Sequence, residues 1–415
     1  MPCFRLAALA AVLLAAAPAA GQVPSVAPGL SDSTRVSLLT MLPGREVYSA
    51  FGHSTLRITD PASGLDRTYN YGTFSFEQPF FVLRFLGGSL DYVLDTAPFE
   101  LERYKYEVLL ERPMIEQRLD LDADVARALY VRLEENALPQ NRAYRYDFFW
   151  DNCSTRLLDI LDSALADAGR PTVDLPPSDA PRTFRQLIGP YFAGMPAVDL
   201  GANLGLGAPA DQVATAREES FLPLELAAQF DRATVGGRPL VAARDTLFWV
   251  AGAGLPTPAP DVPRWAAWAL FAVGLAATAV GWRRPPSRAG RWGDAVLFGL
   301  VGVAGLVLFL LWTATSHTVT GPNWNVLWAW PTHLVAAVLV FRQREPSWAR
   351  AYFGAAALAA LAVVGLGPVL PQTLPAAVTP VALLLAVRAG AIAVRGRPRR
   401  RPAPSMGETP EPASA

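Results

Sequence analysis

The stretch WAAWALFAVGLAATAVGW, from Trp265 to Trp282, divides this 415-residue chain in two. It carries no charged side chain, and as a helix it would reach about 27 Å, close to the thickness of a bilayer's hydrocarbon core. Four more apolar spans follow, near residues 295–314, 325–341, 351–370 and 376–394, with Pro380 and Arg388 interrupting the last. Residues 265–394 are therefore expected to form an all-α membrane domain of about five transmembrane helices.

Arginines set its orientation. Arg283, Arg284, Arg288 and Arg291 lie between spans one and two; Arg342, Arg344 and Arg350 lie between three and four. Arg395, Arg397, Arg399, Arg400 and Arg401 follow span five, in a basic tail over residues 395–415. The opposite loops, Thr315–Trp324 and Pro371–Pro375, hold no Lys or Arg; Arg264, at the outer end of span one, is the exception. Positive residues stay inside, so the C-terminus is expected in the cytoplasm and residues 22–263 outside. The N-terminus agrees. Arg5, an apolar run from Leu6 to Ala17 and the small residues of Ala17–Gly21 have the pattern of a cleaved signal over residues 1–21. A short membrane anchor is the alternative, but the run is shorter than a span.

Formal net charge is zero, with 36 basic and 36 acidic side chains, yet the balance is not local. Residues 22–263 hold 32 acidic and 21 basic side chains; residues 264–415 hold 14 basic and 4 acidic. An acidic exported part precedes a basic membrane part. Only 17% of residues are charged and 52% are hydrophobic, which argues against a disordered chain or a nucleic-acid binder. Arginine outnumbers lysine 35 to 1.

The exported part, residues 22–252, is joined to the spans by a Pro/Gly-rich linker at 253–264. Strands are expected at Arg35–Met41, Ser54–Thr59 and Thr68–Thr73, the latter two joined by the turn Asp60–Gly64, with shorter ones at Leu90–Leu94 and Met114–Leu119. Helices are expected at Asp124–Ala137, Thr155–Ala166, Pro181–Phe192 and Pro223–Ala233, and loops at 171–181 and 194–210. Strands first and helices later give an α+β fold.

Within this part there is one histidine, His53, and once a signal is removed one cysteine, Cys153. An unpaired cysteine in an oxidising compartment is a buried core residue, half of an intermolecular disulfide, or a nucleophile. Its surroundings favour the last. In Asp147-Phe148-Phe149-Trp150-Asp151-Asn152-Cys153-Ser154-Thr155-Arg156, capping types precede an amphipathic helix. That places Cys153 in the first helical turn, where free N–H groups favour a thiolate and can hold an oxyanion. His53, in Tyr48-Ser49-Ala50-Phe51-Gly52-His53-Ser54, sits at a strand start, either as a structural histidine or as the general base. A group orienting the imidazole is expected on the next strand, Asn70 first and Tyr71 second. One His and one Cys, with no HxxxH or CxxC spacing, do not build a metal site, and there is no phosphate loop or G-x-S-x-G elbow. No cofactor is expected. The outer segment Ser316–Asn325, with His317 and Asn323, is either an aromatic belt or a surface facing the exported part and its lipid-linked substrate.

The blocks Tyr48–Ser54 and Asn141–Arg156 resemble the Lnb N-terminal periplasmic domain family, and the Thr318–Asn325 loop is similar to the segment that follows that domain in membrane-bound members. The order His before Cys also looks like the circularly permuted papain-like superfamily. The resemblance implies a permuted papain-like exported domain with Cys153 as nucleophile and His53 as base. Asn152, Tyr146, Arg142, His317 and Asn323 are further candidate substrate contacts. The resemblance further implies bacterial lipoprotein N-acyl transfer, with a phospholipid or lipoprotein substrate, in a multi-pass protein of the bacterial inner membrane. A cell-wall peptidase or amidase with the same dyad, and a non-catalytic envelope-assembly module, are the other readings.

Overall fold

The computed structural model describes residues 30–75, 77–283, 287–342 and 346–395. The expected signal at 1–21 and the basic tail beyond Arg395, with Arg284 and Arg344, lie outside the described residues.

Seven antiparallel strands make the main sheet: β1 (Arg35–Met41), β2 (His53–Asp60), β3 (Leu65–Thr73), β4 (Asp91–Pro98), β5 (Met114–Leu119), β6 (Ala143–Arg145) and, after the short hairpin β7 (Thr234–Val235) and β8 (Arg238–Pro239), β9 (Val241–Phe248). Their order is β6-β4-β3-β2-β1-β5-β9. The alternation read in β1 is used on both faces. Val36 and Leu38 join Leu56, Ile58, Tyr69 and Tyr71 in a core covered by the helices Ala123–Ala137 and Thr155–Asp167. Leu39 and Met41 turn the other way, to Phe99, Tyr106 and Met114. Full burial of such side chains contributes about 1.5–3 kcal/mol each. β1 pairs with β2 so that Met41 faces His53 and Leu39 faces Thr55. His53 therefore lies on the Phe99–Tyr106 side of the sheet and Ser54 on the helical side.

Three elements differ from expectation. The stretch 194–210 holds a helix, Pro196–Gly205, because its proline sits in the first turn, where no N–H is needed. The segment after β3, for which no element was expected, forms the helix Phe81–Leu86. Helix Phe99–Tyr104 continues into a π-turn at Lys105–Leu109.

In the membrane part, four helices are long and apolar enough to cross: Val262–Val280, Arg288–Thr313, Ala349–Val369 and Val378–Arg395. The expected third span is not one helix. It is a 3-10 turn, Trp324–Leu327, a bend at Trp330-Pro331 and a helix of seven residues, His333–Leu339. This segment still runs the length of the second span, antiparallel to it. Ala329 lies on Gly305, Leu334 on Gly302, and Phe341 on Trp292 at the far end, with 4.9 Å between ring centroids. The approach is close enough that a Cβ on Gly305 would stand 2.0 Å from the Ala329 carbonyl oxygen.

Both loops expected outside meet the exported part. Gly207 N–H donates to Val319 O at 2.8 Å, Ala208 N–H to Pro322 O at 2.8 Å, and Gln372 Nε2 to Leu206 O at 2.9 Å. The linker is tied by Ala259 N–H to Ala193 O at 2.8 Å.

Candidate active site

β2 begins with a sharp entry. Gly52 has φ +84°, and a Cβ there would stand 2.6 Å from Met41 O, so only glycine turns the chain in at this point. The next residue, His53, is thereby fixed at the strand's end. Its Nε2 lies 3.2 Å from Asn70 Oδ1, on the neighbouring β3. An amide oxygen only accepts, so this contact places the proton on Nε2 and leaves Nδ1 with its lone pair. Tyr71 faces away, accepting from Asn136 Nδ2 at 2.8 Å, so Asn70 is the group beside the imidazole.

The Cys153 loop is held by its own side chains. Asp147 and Asp151 exchange backbone bonds at 3.0 Å, and Asp147 Oδ1 accepts from Phe149 and Trp150 N–H. Asn152 Oδ1 accepts from Ser154 N–H at 2.7 Å and Thr155 N–H at 3.0 Å, while its Nδ2 donates to Phe148 O and Phe221 O. Asn152 is 2% exposed and its donors and acceptor serve the chain itself, so it clamps the loop. Because it takes over the cap, the helix starts at Thr155 with Ser154 as cap residue. Cys153 stands just ahead of the first turn instead of within it.

The sulfur meets Ser154 Oγ at 4.0 Å. Ser154 Oγ also donates to Ser54 Oγ at 3.1 Å. Gly72 packs on the thiol from β3; a Cβ there would lie 3.5 Å from Cys153 Cβ and 3.7 Å from the Tyr146 ring. The His53–Asn70 pair lies on two adjacent strands, and the Cys153 loop is tied to β2 at Ser54, the residue after His53.

Electrostatics differ from the expectation of a lowered thiol. Burial pushes the Cys153 thiol above its ordinary value, and the surrounding N–H groups offset this only in part. Burial also pulls His53 down to about 3, helped by the charges of Lys105 and Arg112 and opposed by the Asn70 bond. Arg112 is buried beneath the site, its guanidinium donating to Leu42 O at 2.9 and 2.7 Å. The resting pair is neutral thiol and neutral imidazole. Neither cation was legible beforehand; the one signal was that Lys105 is the only lysine of the chain.

The other candidates separate. Tyr146 lies against the site and stacks on Tyr92, centroids 4.3 Å apart. Arg142 is exposed and offers its carbonyl to Leu94 N–H at 2.9 Å. His317 is not at the thiol: its Nε2 meets Leu86 O at 3.1 Å. Asn323 is buried in a knot of bonds to Leu204 O, Gly205 O and Asn325. The outer loop does reach the site's scaffold, however, through Thr318 Oγ1, which donates to Asp147 Oδ2 at 2.6 Å. Among the described residues, no group of three His, Cys, Asp or Glu is placed to hold a metal ion.

Two family models match the chain. Residues 30–188 match the Lnb N-terminal periplasmic domain, and residues 259–396 match the Lnb transmembrane domain. No curated protein and no solved structure matches it.

Proposed function

This chain belongs to the Lnb family, carrying both its periplasmic and its transmembrane domain, and on that premise we propose that it is a thiol acyltransferase working at the outer face of the bacterial cytoplasmic membrane. The observation that carries the reading is the bond from Ser154 Oγ to Ser54 Oγ at 3.1 Å, which ties the residue following Cys153 to the residue following His53. His53 Nδ1 takes the thiol proton as Sγ attacks the carbonyl carbon of a phospholipid or lipoprotein ester. Asn152 occupies the Ser154 and Thr155 N–H groups, so in this reading the Cys153 N–H holds the oxyanion. The C–O bond breaks, the imidazolium returns its proton to the departing hydroxyl, and a thioester remains. An acceptor amine or hydroxyl then attacks the thioester, gives its proton to His53, and the thiolate leaves and is reprotonated. Asn70 keeps the imidazole in the useful tautomer throughout.

The test is intact-protein mass spectrometry of the full chain after exposure to phospholipid and to a diacylglyceryl lipopeptide. An acyl adduct on Cys153 is expected. Absence of any adduct, with cleavage of muropeptides instead, would replace the reading with the cell-wall amidase.

The direction of the two shifts gives a pH dependence. His53, held at about 3, stays an available base well below the usual imidazole range. Acyl transfer is expected to keep its rate from pH 7 down to pH 5, measured as release of labelled lysolipid. A half-loss near pH 6.5, the value of a free imidazole, would overturn the neutral-pair mechanism.

A further inference from the structure

The helix Phe81–Leu86 turns its apolar side chains outward. Phe80 is 77% exposed, Leu83 69% and Phe85 53%, with Val82 and Leu86 also exposed. The one charge on the helix is folded back: Arg84 donates to Ser89 O and to Asp91 Oδ2. Phe80, at its start, has φ +56°, a conformation a bulky residue adopts only when the surroundings impose it. So large an apolar face on an exported domain marks an interaction surface.

Its position says what covers it. Gly87 O accepts from Ser316 N–H at 2.9 Å, and Leu86 O meets His317 Nε2. Ser316 is three residues beyond Thr313, where the second span ends. Three extended residues reach about 10 Å, so this helix sits at the depth of the outer headgroups. A short helix with an apolar face at that depth beds it at the headgroup–acyl boundary.

From this helix a row of rings leads inward. Phe85 stacks near Phe81 and Phe81 near Phe74, both at 6.1 Å; Phe74 meets Tyr92 at 5.2 Å, and Tyr92 stacks on Tyr146 at 4.3 Å. Tyr146 lies against Gly72, and Gly72 against Cys153. We propose that the helix Phe81–Leu86 is seated in the outer leaflet, and that this aromatic row is the path by which a bilayer lipid brings its ester to Cys153. What travels along the path rests on the acyl-transfer reading; the seating does not.

The seating is tested with the full chain in nanodiscs, Cys3 and Cys153 replaced by serine, and a fluorophore on Leu83→Cys. Phospholipids with a nitroxide on the acyl chain should quench it to within about two-fold of a label at Leu300→Cys, an exposed position on the second span. Quenching by aqueous iodide in place of the nitroxide lipid would overturn the seating. The path is tested on otherwise native protein by labelling Cys153 with a maleimide carried on a phospholipid headgroup and with soluble N-ethylmaleimide. Leu83→Glu and Phe81→Ala should each slow the lipid reagent about ten-fold and leave the soluble one unchanged. Wild-type rates with the lipid reagent, or equal loss with both reagents, would overturn the path. These readouts report depth and access, so a missing acyl adduct would remove the transferase reading and leave them standing.

Discussion

Cys153→Ala is expected to lower acyl transfer by about 10³-fold or more, and His53→Ala to do the same, because in the proposed reaction nucleophile and base act as one unit. The double variant should lose no more than either single one. Asn70→Ala should cost less, about 10–100-fold, since it frees the imidazole to turn without removing it. Release of labelled lysolipid by the full-length protein in liposomes measures all four. Alanine fits in the space of a buried cysteine, so the Cys153 variant should keep its thermal midpoint. A Cys153→Ala protein that retains half the wild-type rate would exclude thioester chemistry outright.

The second large effect lies within the membrane part and concerns stability. Arg388 Nε and Nη2 donate to Asp294 Oδ1 and Oδ2 at 2.6 and 2.9 Å, and Nη1 donates to Thr278 Oγ1 at 2.6 Å. The fifth span is thereby pinned to the first and second. Each charge is tolerable there only because the other is present. Arg388→Leu leaves a buried carboxylate without a partner and should destabilise the protein by about 3–5 kcal/mol. Asp294→Leu should do the same by stranding the guanidinium. The pair Arg388→Leu with Asp294→Leu should recover most of the loss, read as the midpoint of denaturant-induced unfolding in detergent. Additive losses in the double variant would show that each residue acts alone.

Arg388 also shows where composition misleads. As a charge within an apolar run it reads as an interruption, whereas its partner lies 94 positions away on another span. The same limit applies to the third crossing. Residues 325–341 are apolar enough for a helix, but Pro331 removes a backbone donor midway and the close approach to Gly302 and Gly305 suits a bent chain. Local signals were read well. Arg35–Met41 is a strand with those bounds, and the Asp60–Gly64 turn joins the strands it was expected to join. Pairings set by tertiary contact were not legible: β9 on β5, or Lys105 of the π-turn over the Tyr106 ring. In the site, scarcity singled out Cys153 and His53, and the strand order was enough to suggest Asn70. The clamping role of Asn152 was not legible, because its partners Phe148 O and Phe221 O are set by the fold.

Lys105, whose charge helps hold the imidazole neutral, also divides the polypeptide in a useful way. A protease specific for lysine has a single cleavage site in this chain, after residue 105. One cut leaves His53 and Asn70 on the first fragment and Cys153 with every span on the second. A mass increment on the thiol is then assigned to the second fragment directly, and an acyl group that had moved to the histidine side would be carried by the first.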